Sequence, residues 1–204
     1  MPILASGVRI SALTPGGDGG LWAGGSAGTP TRPQTPNLYR FDLAGNVTAT
    51  EFPGIVADLG VFDGHLYVAA TRSGDSPEAK VWRLPILSDG TLGAEEVVYD
   101  VAADQPGRRP SALAIAADGT VFVGIAPPAS DPRAAVEHPL IQVAPDGTAA
   151  PLYPGVLPSP VRALAWGAGS SLYLVRSQIL PPAGEAGEPT PSAIFKVEAR
   201  KQGA

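Results

Sequence analysis

Two histidines, a scatter of arginines and one strand-borne aspartate are the side chains of this 204-residue sequence best equipped for chemistry. His138 follows Asp131, Arg133 and Glu137. Paired with Asp131 it would form a general base, and the plainer alternative is an exposed loop histidine. Arg32, Arg72, Arg108, Arg109, Arg162 and Arg176 are expected near one loop-rich face of the fold. Gathered together, planar guanidiniums grip carboxylates through paired N–H donors. Dispersed, they are rim charge balanced by Asp75, Glu78, Asp104, Asp131 and Glu137. Asp58 is the single acid inside one class of apolar strand. It either faces a channel, where it would hold a cation or a basic group, or it bonds backbone N–H groups nearby. His65 lies at a different kind of turn from His138, so a two-histidine metal centre is not expected. Asp118-Gly119-Thr120 and Asp146-Gly147-Thr148 resemble half a calcium loop without its further acidic ligands, which makes them hairpin turns. With no cysteine there is no disulfide, thiolate nucleophile or cysteine-based zinc site. P-loop and zinc signatures are also missing.

The elements that must position these residues recur four times. Leu21-Trp22-Ala23-Gly24, Leu66-Tyr67-Val68-Ala69, Val121-Phe122-Val123-Gly124 and Leu172-Tyr173-Leu174-Val175 each follow a Gly-bearing turn. Leu38-Tyr39-Arg40-Phe41, Val81-Trp82-Arg83-Leu84, Leu140-Ile141-Gln142-Val143 and Ile194-Phe195-Lys196-Val197 alternate apolar and polar at the period of a strand. Small apolar runs at 10–13, 57–61, 111–115 and 162–166 precede the first series, and Pro- or Asp-bounded runs at 50–54, 97–100 and 151–155 follow the second. A period of about 45 to 55 residues with four strands per unit is the pattern of a β-propeller. The expected fold is all-β, with four four-stranded blades in one domain spanning 1–204 and repeats near 1–44, 45–90, 91–144 and 145–204.

Calling the strands A to D from the axis outward, the fourth unit lacks a D strand, and the segment Pro2-Ile3-Leu4-Ala5-Ser6-Gly7 matches one. An N-terminal strand completing the last blade pairs two otherwise open edges. Such closure works in cis, giving a four-bladed ring, or in trans, giving an eight-bladed dimer with twofold symmetry. The small A-strand residues Ala12, Ala57, Ala112 and Ala163 suit the narrow axis of the cis form. The B–C connections (26–36, 71–79, 126–138, 177–192) are long and unlike one another, whereas the A–B and C–D turns are short. Variable loops on a rigid scaffold are where recognition is placed. The expected binding residues are therefore Arg72, Asp75, Arg108, Arg109, His138, Arg162 and Arg176 on the loop-rich face, with no catalytic set, metal or cofactor.

Composition narrows the field further. A net charge of −5 and the lack of basic runs speak against nucleic acid. No apolar stretch approaches the ~20 residues of a membrane span, and the start lacks the pattern of a signal peptide. Gly (25) and Pro (23) lie between apolar runs, so they read as turns and stiff loops rather than disorder. The compartment is undetermined, and the Ala/Gly/Pro-rich, Lys-poor usage is that of a GC-rich bacterial or viral source.

The segments 111–123 and 193–197, an apolar run, Asp-Gly and an aromatic strand followed by Ala-Ile-Phe-Lys-Val, resemble blades of the NHL-type propeller superfamily. That group includes gluconolactonase/regucalcin-like enzymes and quinoprotein sugar dehydrogenases. The lactonases hold a divalent cation with Glu, Asn and Asp on the channel floor, where this sequence offers Asp58. The quinoproteins use a His base with Arg residues, which His138 with Arg108 or Arg176 imitates loosely. No catalytic residue is carried over. The expected function is a non-catalytic interaction or assembly module, monomeric or dimeric, presenting its loops to a protein or glycan partner, as in a bacterial surface or phage structural component. The alternative is a small metal- or quinone-dependent lactonase-like or sugar-dehydrogenase-like enzyme.

Overall fold

The structure is a computed structural model that describes residues 8–29, 32–34, 37–72, 78–128, 130–157, 160–167, 170–176 and 191–199. Its elements are β1 (Val8–Pro15), β2 (Leu21–Thr29), β3 (Arg32–Gln34), β4 (Leu38–Phe41), β5 (Val47–Thr50), β6 (Ile55–Phe62), β7 (His65–Arg72), β8 (Glu78–Pro85), β9 (Glu96–Asp100), α1 (Val101–Asp104), β10 (Arg109–Ile115), β11 (Val121–Ala126), β12 (Leu140–Val143), β13 (Ala149–Pro151), β14 (Val161–Trp166), β15 (Ser171–Arg176) and β16 (Ala193–Glu198). They form four up-and-down antiparallel sheets in chain order: β1-β2-β4-β5 with β3 on β2, β6-β7-β8-β9, β10-β11-β12-β13 and β14-β15-β16. These are the blades of a β-propeller. The strand proposed to complete the last blade, at 2–7, lies outside the described residues, and the fourth sheet has three described strands.

The chain forms two compact units, Met1–Pro110 and Ser111–Ala204, each holding two blades. The turns that set the registers share one construction. Leu87, Ala116 and Ala144 each donate N–H to the carbonyl four residues on, while Gly90, Gly119 and Gly147 close the inner turn onto the same three residues. Those glycines sit at φ +78°, +82° and +84°, where a Cβ is strained. In the Asp-Gly-Thr turns the Asp carboxylate accepts from the Thr N–H, at 3.1 Å for Asp118 and 2.9 Å for Asp146. The carboxylates are thus occupied as turn formers.

Two placements differ from the sequence reading. The D strands of the first and third blades are Val47–Thr50 and Ala149–Pro151, a few residues earlier than expected, because each five-residue turn returns the chain straight into pairing. Val47 sits opposite Phe41, and Ala149 opposite Val143. The Pro-Gly pairs at 53–54 and 154–155 lie in the links beyond the ladders. The connection at 26–36 also holds its own ladder, where Ala27, Gly28 and Thr29 pair with Gln34, Pro33 and Arg32.

An apolar core holds each unit together. In the first, Ala12, Trp22, Leu38, Val56, Leu66 and Val68 pack together with Phe52 and Trp82. In the second, Ala112, Phe122, Leu140, Val161, Leu172 and Leu174 take the corresponding places about 100 residues later. Ala12 and Ala112 are therefore packing residues within a blade pair. Gly24 and Gly124 permit the close approach: a Cβ on either would come within 2.5 Å of Val56 Cγ1 or 2.7 Å of Val161 Cγ1.

A serine fastens each pair. The Ser111 hydroxyl lies 2.6 Å from the Val161 carbonyl and 3.0 Å from that of Gly124. Ser11 makes the same contacts with the Val56 and Gly24 carbonyls. One proton shared between two acceptors ties the A strand to its own B strand and to the next blade. Ser111→Ala is expected to lower stability by about 1 kcal/mol, read as an earlier urea midpoint with an unchanged slope.

Candidate functional site

The inner strands are kinked near their loop-side ends. Ladder shifts occur between Ile10 and Ala12, between Val56 and Asp58, and between Val161 and Ala163. Bulges re-aim side chains and are common next to active sites. They place Ser11, Ala57 and Arg162 at equivalent points.

In the first unit, Asp58 follows its bulge, and its Oδ1 accepts from the Leu59 N–H at 2.9 Å. Of the two readings of this residue, the backbone-bonded one is observed. Arg72, at the end of β7, does not project as an open grip. Its guanidinium lies 4.3 Å from the Trp82 ring centroid and 4.8 Å from that of Phe52. It also pairs with Glu95 and, at 3.4 Å, with Glu78. Glu78 accepts from Lys80 at 2.6 Å, and Lys80 lies 3.4 Å from Asp100. Asp100 also caps α1, accepting from the Ala103 N–H at 3.0 Å. That short turn delivers Arg108 and Arg109 to the start of β10, and Arg108 N–H donates to the Gln105 carbonyl. Tyr99 beside it donates its hydroxyl to Asp104; burial, then this carboxylate, push its pKa up.

The hydrogen bond from Lys80 holds the Glu78 carboxyl below its ordinary range, and Glu78 in turn raises Lys80. A depressed carboxyl stabilises the fold above its unfolded value, near 4.5, and that contribution fades as pH falls through the folded value. Glu78→Gln should therefore lower stability at neutral pH by less than ~1 kcal/mol, since the pair is solvent-screened. Melting curves of the two proteins should converge as pH drops from about 5 to 3.

In the second unit, strand register brings several of the expected residues to one end. Arg176 sits opposite Val161, next to Arg162. Gly124 sits opposite Leu140, two residues beyond His138. Ser111, bonded to both the Gly124 and Val161 carbonyls, joins these strand ends. Arg176 donates to the Pro191 carbonyl at 2.9 Å and lies 5.8 Å from the Phe195 ring centroid. Arg162 is exposed. His138 Nε2 is 3.9 Å from Glu137 Oε1, and Asp131 caps its own turn through the Arg133 N–H. The carboxylate at His138 is thus Glu137, where the sequence suggested Asp131. Asp75 lies outside the described residues. An imidazole can move a proton and guanidiniums can hold an anionic oxygen, and the ladders bring the positions that carry them to the same end of this unit's sheets.

A divalent cation or quinone is what the resembled families imply. Among the described residues no three His, Cys, Asp or Glu side chains come together as a metal centre, and Asp58 is engaged by its own strand. The described residues do not fit a divalent-ion site. No helix among them is long and apolar enough to cross a membrane.

Sequence reasoning missed the serine fasteners, α1 and the stacking of Arg72. The recurrence of Ser-Ala-Leu at 11–13 and 111–113 was a visible signal for the first.

No family model matches the sequence, and no curated protein matches it. Solved structures do. A luciferin-regenerating enzyme is similar over 98% of this chain and 64% of its own, with a TM-score of 0.72 and 16% identity. A protein assigned as a gluconolactonase is similar over 95% of this chain and 59% of its own, with a TM-score of 0.65 and 16% identity. Regucalcin from Agrobacterium tumefaciens, described as calcium-binding, is similar over 81% of this chain and 49% of its own, with a TM-score of 0.53 and 17% identity. The chain thus spans less than two thirds of the length of each. These neighbours overturn the expectation of a non-catalytic interaction or assembly module. That expectation rested on finding no catalytic constellation within the strands, and the ladders bring the positions of His138, Arg162 and Arg176, distant in sequence, to the same end of the second unit's sheets. The chain has the fold of the gluconolactonase- and regucalcin-like β-propellers.

Proposed function

We propose that this chain is an enzyme that opens small lactones or closely related esters. The observation that carries this reading is the similarity, over 98% and 95% of the chain, to two proteins named for enzymatic activities. His138, Arg162 and Arg176, carried to the same end of the second unit's sheets, support it as a base and two cations. His138 takes a proton from water as the water oxygen bonds to the lactone carbonyl carbon. The ring C–O bond then breaks, the proton passes to the departing ring oxygen, and a hydroxy acid remains. Arg162 and Arg176 hold the negative oxygen that develops and the carboxylate that forms. No step runs through a metal.

The test is a panel of γ- and δ-lactones offered to the purified chain in a pH-stat, with and without EDTA. Ring opening above the buffer rate that persists in chelator is the expected result. Failure to open any lactone, or activity that vanishes with EDTA and returns with Ca²⁺, overturns the reading.

A further inference from the structure

The two units show which face a blade turns to the next. In the first unit, Trp22 and Leu38 project from the first sheet into the core shared with the second, and both are buried. In the second unit, Phe122 and Leu140 do the same from the third sheet toward the fourth. The registers identify the corresponding residues of the fourth sheet. Leu38 lies opposite Gly24 and Leu140 opposite Gly124, as Ile194 lies opposite Val175. Trp22 lies opposite Arg40 and Phe122 opposite Gln142, as Tyr173 lies opposite Lys196. Yet Tyr173 is 37% exposed and Ile194 72%. Ala163 and Ala165, on the other side of Val175 and Tyr173, are exposed as well. An apolar face built for a following blade is here open to water.

The first sheet carries the complementary face. The second sheet meets the first through Leu59 and Leu66, which are buried. Leu59 lies opposite Val68 and Leu66 opposite Val61. Leu13, opposite Ala23, and Leu21, opposite Pro15, hold those places in the first sheet. Leu13 is 62% exposed and Leu21 45%.

Charge agrees with shape. Arg40 reaches across to the second sheet's outer turn, where a Cβ on Gly90 would meet its guanidinium. Lys196 holds the place of Arg40 in the fourth sheet, where it pairs with Glu198 at 2.8 Å. Gly45 holds the place of Gly90 in the first sheet, closing its turn onto the Asp42 carbonyl as Gly90 closes onto that of Leu87. The turn that would receive Lys196 therefore carries the Asp42 carboxylate. Val175 stands where Gly24 and Gly124 admit Val56 and Val161, so two sheets meeting here keep a wider spacing than those of one unit.

We propose that this chain forms a homodimer in which the face bearing Tyr173 and Ile194 of each copy packs on the face bearing Leu13 and Leu21 of the other. The occupant is a second copy because the chain displays both halves of one blade-to-blade contact, each uncovered. Each copy gives one face and receives one, so a twofold axis closes the association at two instead of letting it grow into a filament. The proposal does not rest on the lactonase reading, since these contact residues take no part in that chemistry.

Light scattering of the full chain at about 50 µM tests it. Twice the chain mass of 20.7 kDa is expected. Leu13→Asp and Ile194→Asp each put a charge into the contact and should give monomers with native circular dichroism, since both side chains are exposed. The sequence has no cysteine, so a thiol pair can be placed freely. Within the first unit, a Cβ on Gly24 would lie 3.1 Å from Leu59 Cδ1, and these positions correspond to Val175 and Leu13. Bismaleimidoethane should therefore join Val175→Cys and Leu13→Cys chains, mixed and allowed to exchange, into a covalent dimer on a denaturing gel; this result decides the matter if the aspartate variants do not fold. A monomeric wild type, a species that keeps growing beyond the dimer with concentration, a folded Ile194→Asp that stays dimeric, or a doubly substituted chain that links only within itself would each overturn the proposal.

Discussion

Replacing Trp82 by alanine should lower the unfolding free energy of the first blade pair by about 3–5 kcal/mol. The indole is 1% exposed and stands edge-on to Phe52, with centroids 5.5 Å apart at 78°. Its removal leaves a void that the surrounding strands cannot close, because both neighbours are held in ladders. It also strips one face from the Arg72 guanidinium, a cation–π contact worth a further ~0.5–2 kcal/mol in a partly desolvated setting. Arg72 would then keep its carboxylates but lose the platform that orients it toward them. Trp82→Phe separates these effects, since the corresponding residue of the second pair is Phe195, opposite Leu174 as Trp82 is opposite Val68. That variant should lose about 1 kcal/mol. Guanidinium titrations followed by far-ultraviolet circular dichroism give both values. An alanine variant within 1 kcal/mol of wild type would mean that the core in which Trp82 is buried relaxes around its loss.

The second large effect is on activity. His138→Ala should reduce kcat/KM for lactone opening by about 100-fold or more, the usual contribution of a positioned general base. The histidine precedes β12 and is partly exposed, so the fold should survive and the melting temperature should hardly move. Steady-state rates and melting curves on the same preparation separate loss of chemistry from loss of structure. Activity within threefold of wild type would remove His138 from the chemistry, and Arg162 and Arg176 would then be the groups to probe.

The A, B and C strands were legible because alternation and Gly turns are local signals. Leu38–Phe41 and Leu140–Val143 were placed to the residue, and the others extend the runs already visible. Outer strands were less legible, since Pro53 and Pro154 looked like edge-strand residues but serve in links. The candidate site was half legible. Arg162, Arg176 and His138 could be assigned to one face from loop lengths. Which of them share a strand end depends on a bulge at Arg162 and on ladder register. The stacking of Arg72 was not legible because its surroundings, Phe52, Trp82 and Glu95, come from three separate segments.

The serine fasteners have a consequence in time. Ser11 finds both its carbonyls by residue 56, and among the described residues the core it closes reaches no further than Leu92. Every residue of that core is therefore present once that stretch has left the ribosome. At the ~5–20 residues per second of synthesis, several seconds separate its completion from that of Ser111 and its own acceptors. The nascent chain can bury the apolar faces of one pair before those of the next emerge. A polypeptide of repeated, mutually similar strands is thereby spared the choice of which copy to pair with.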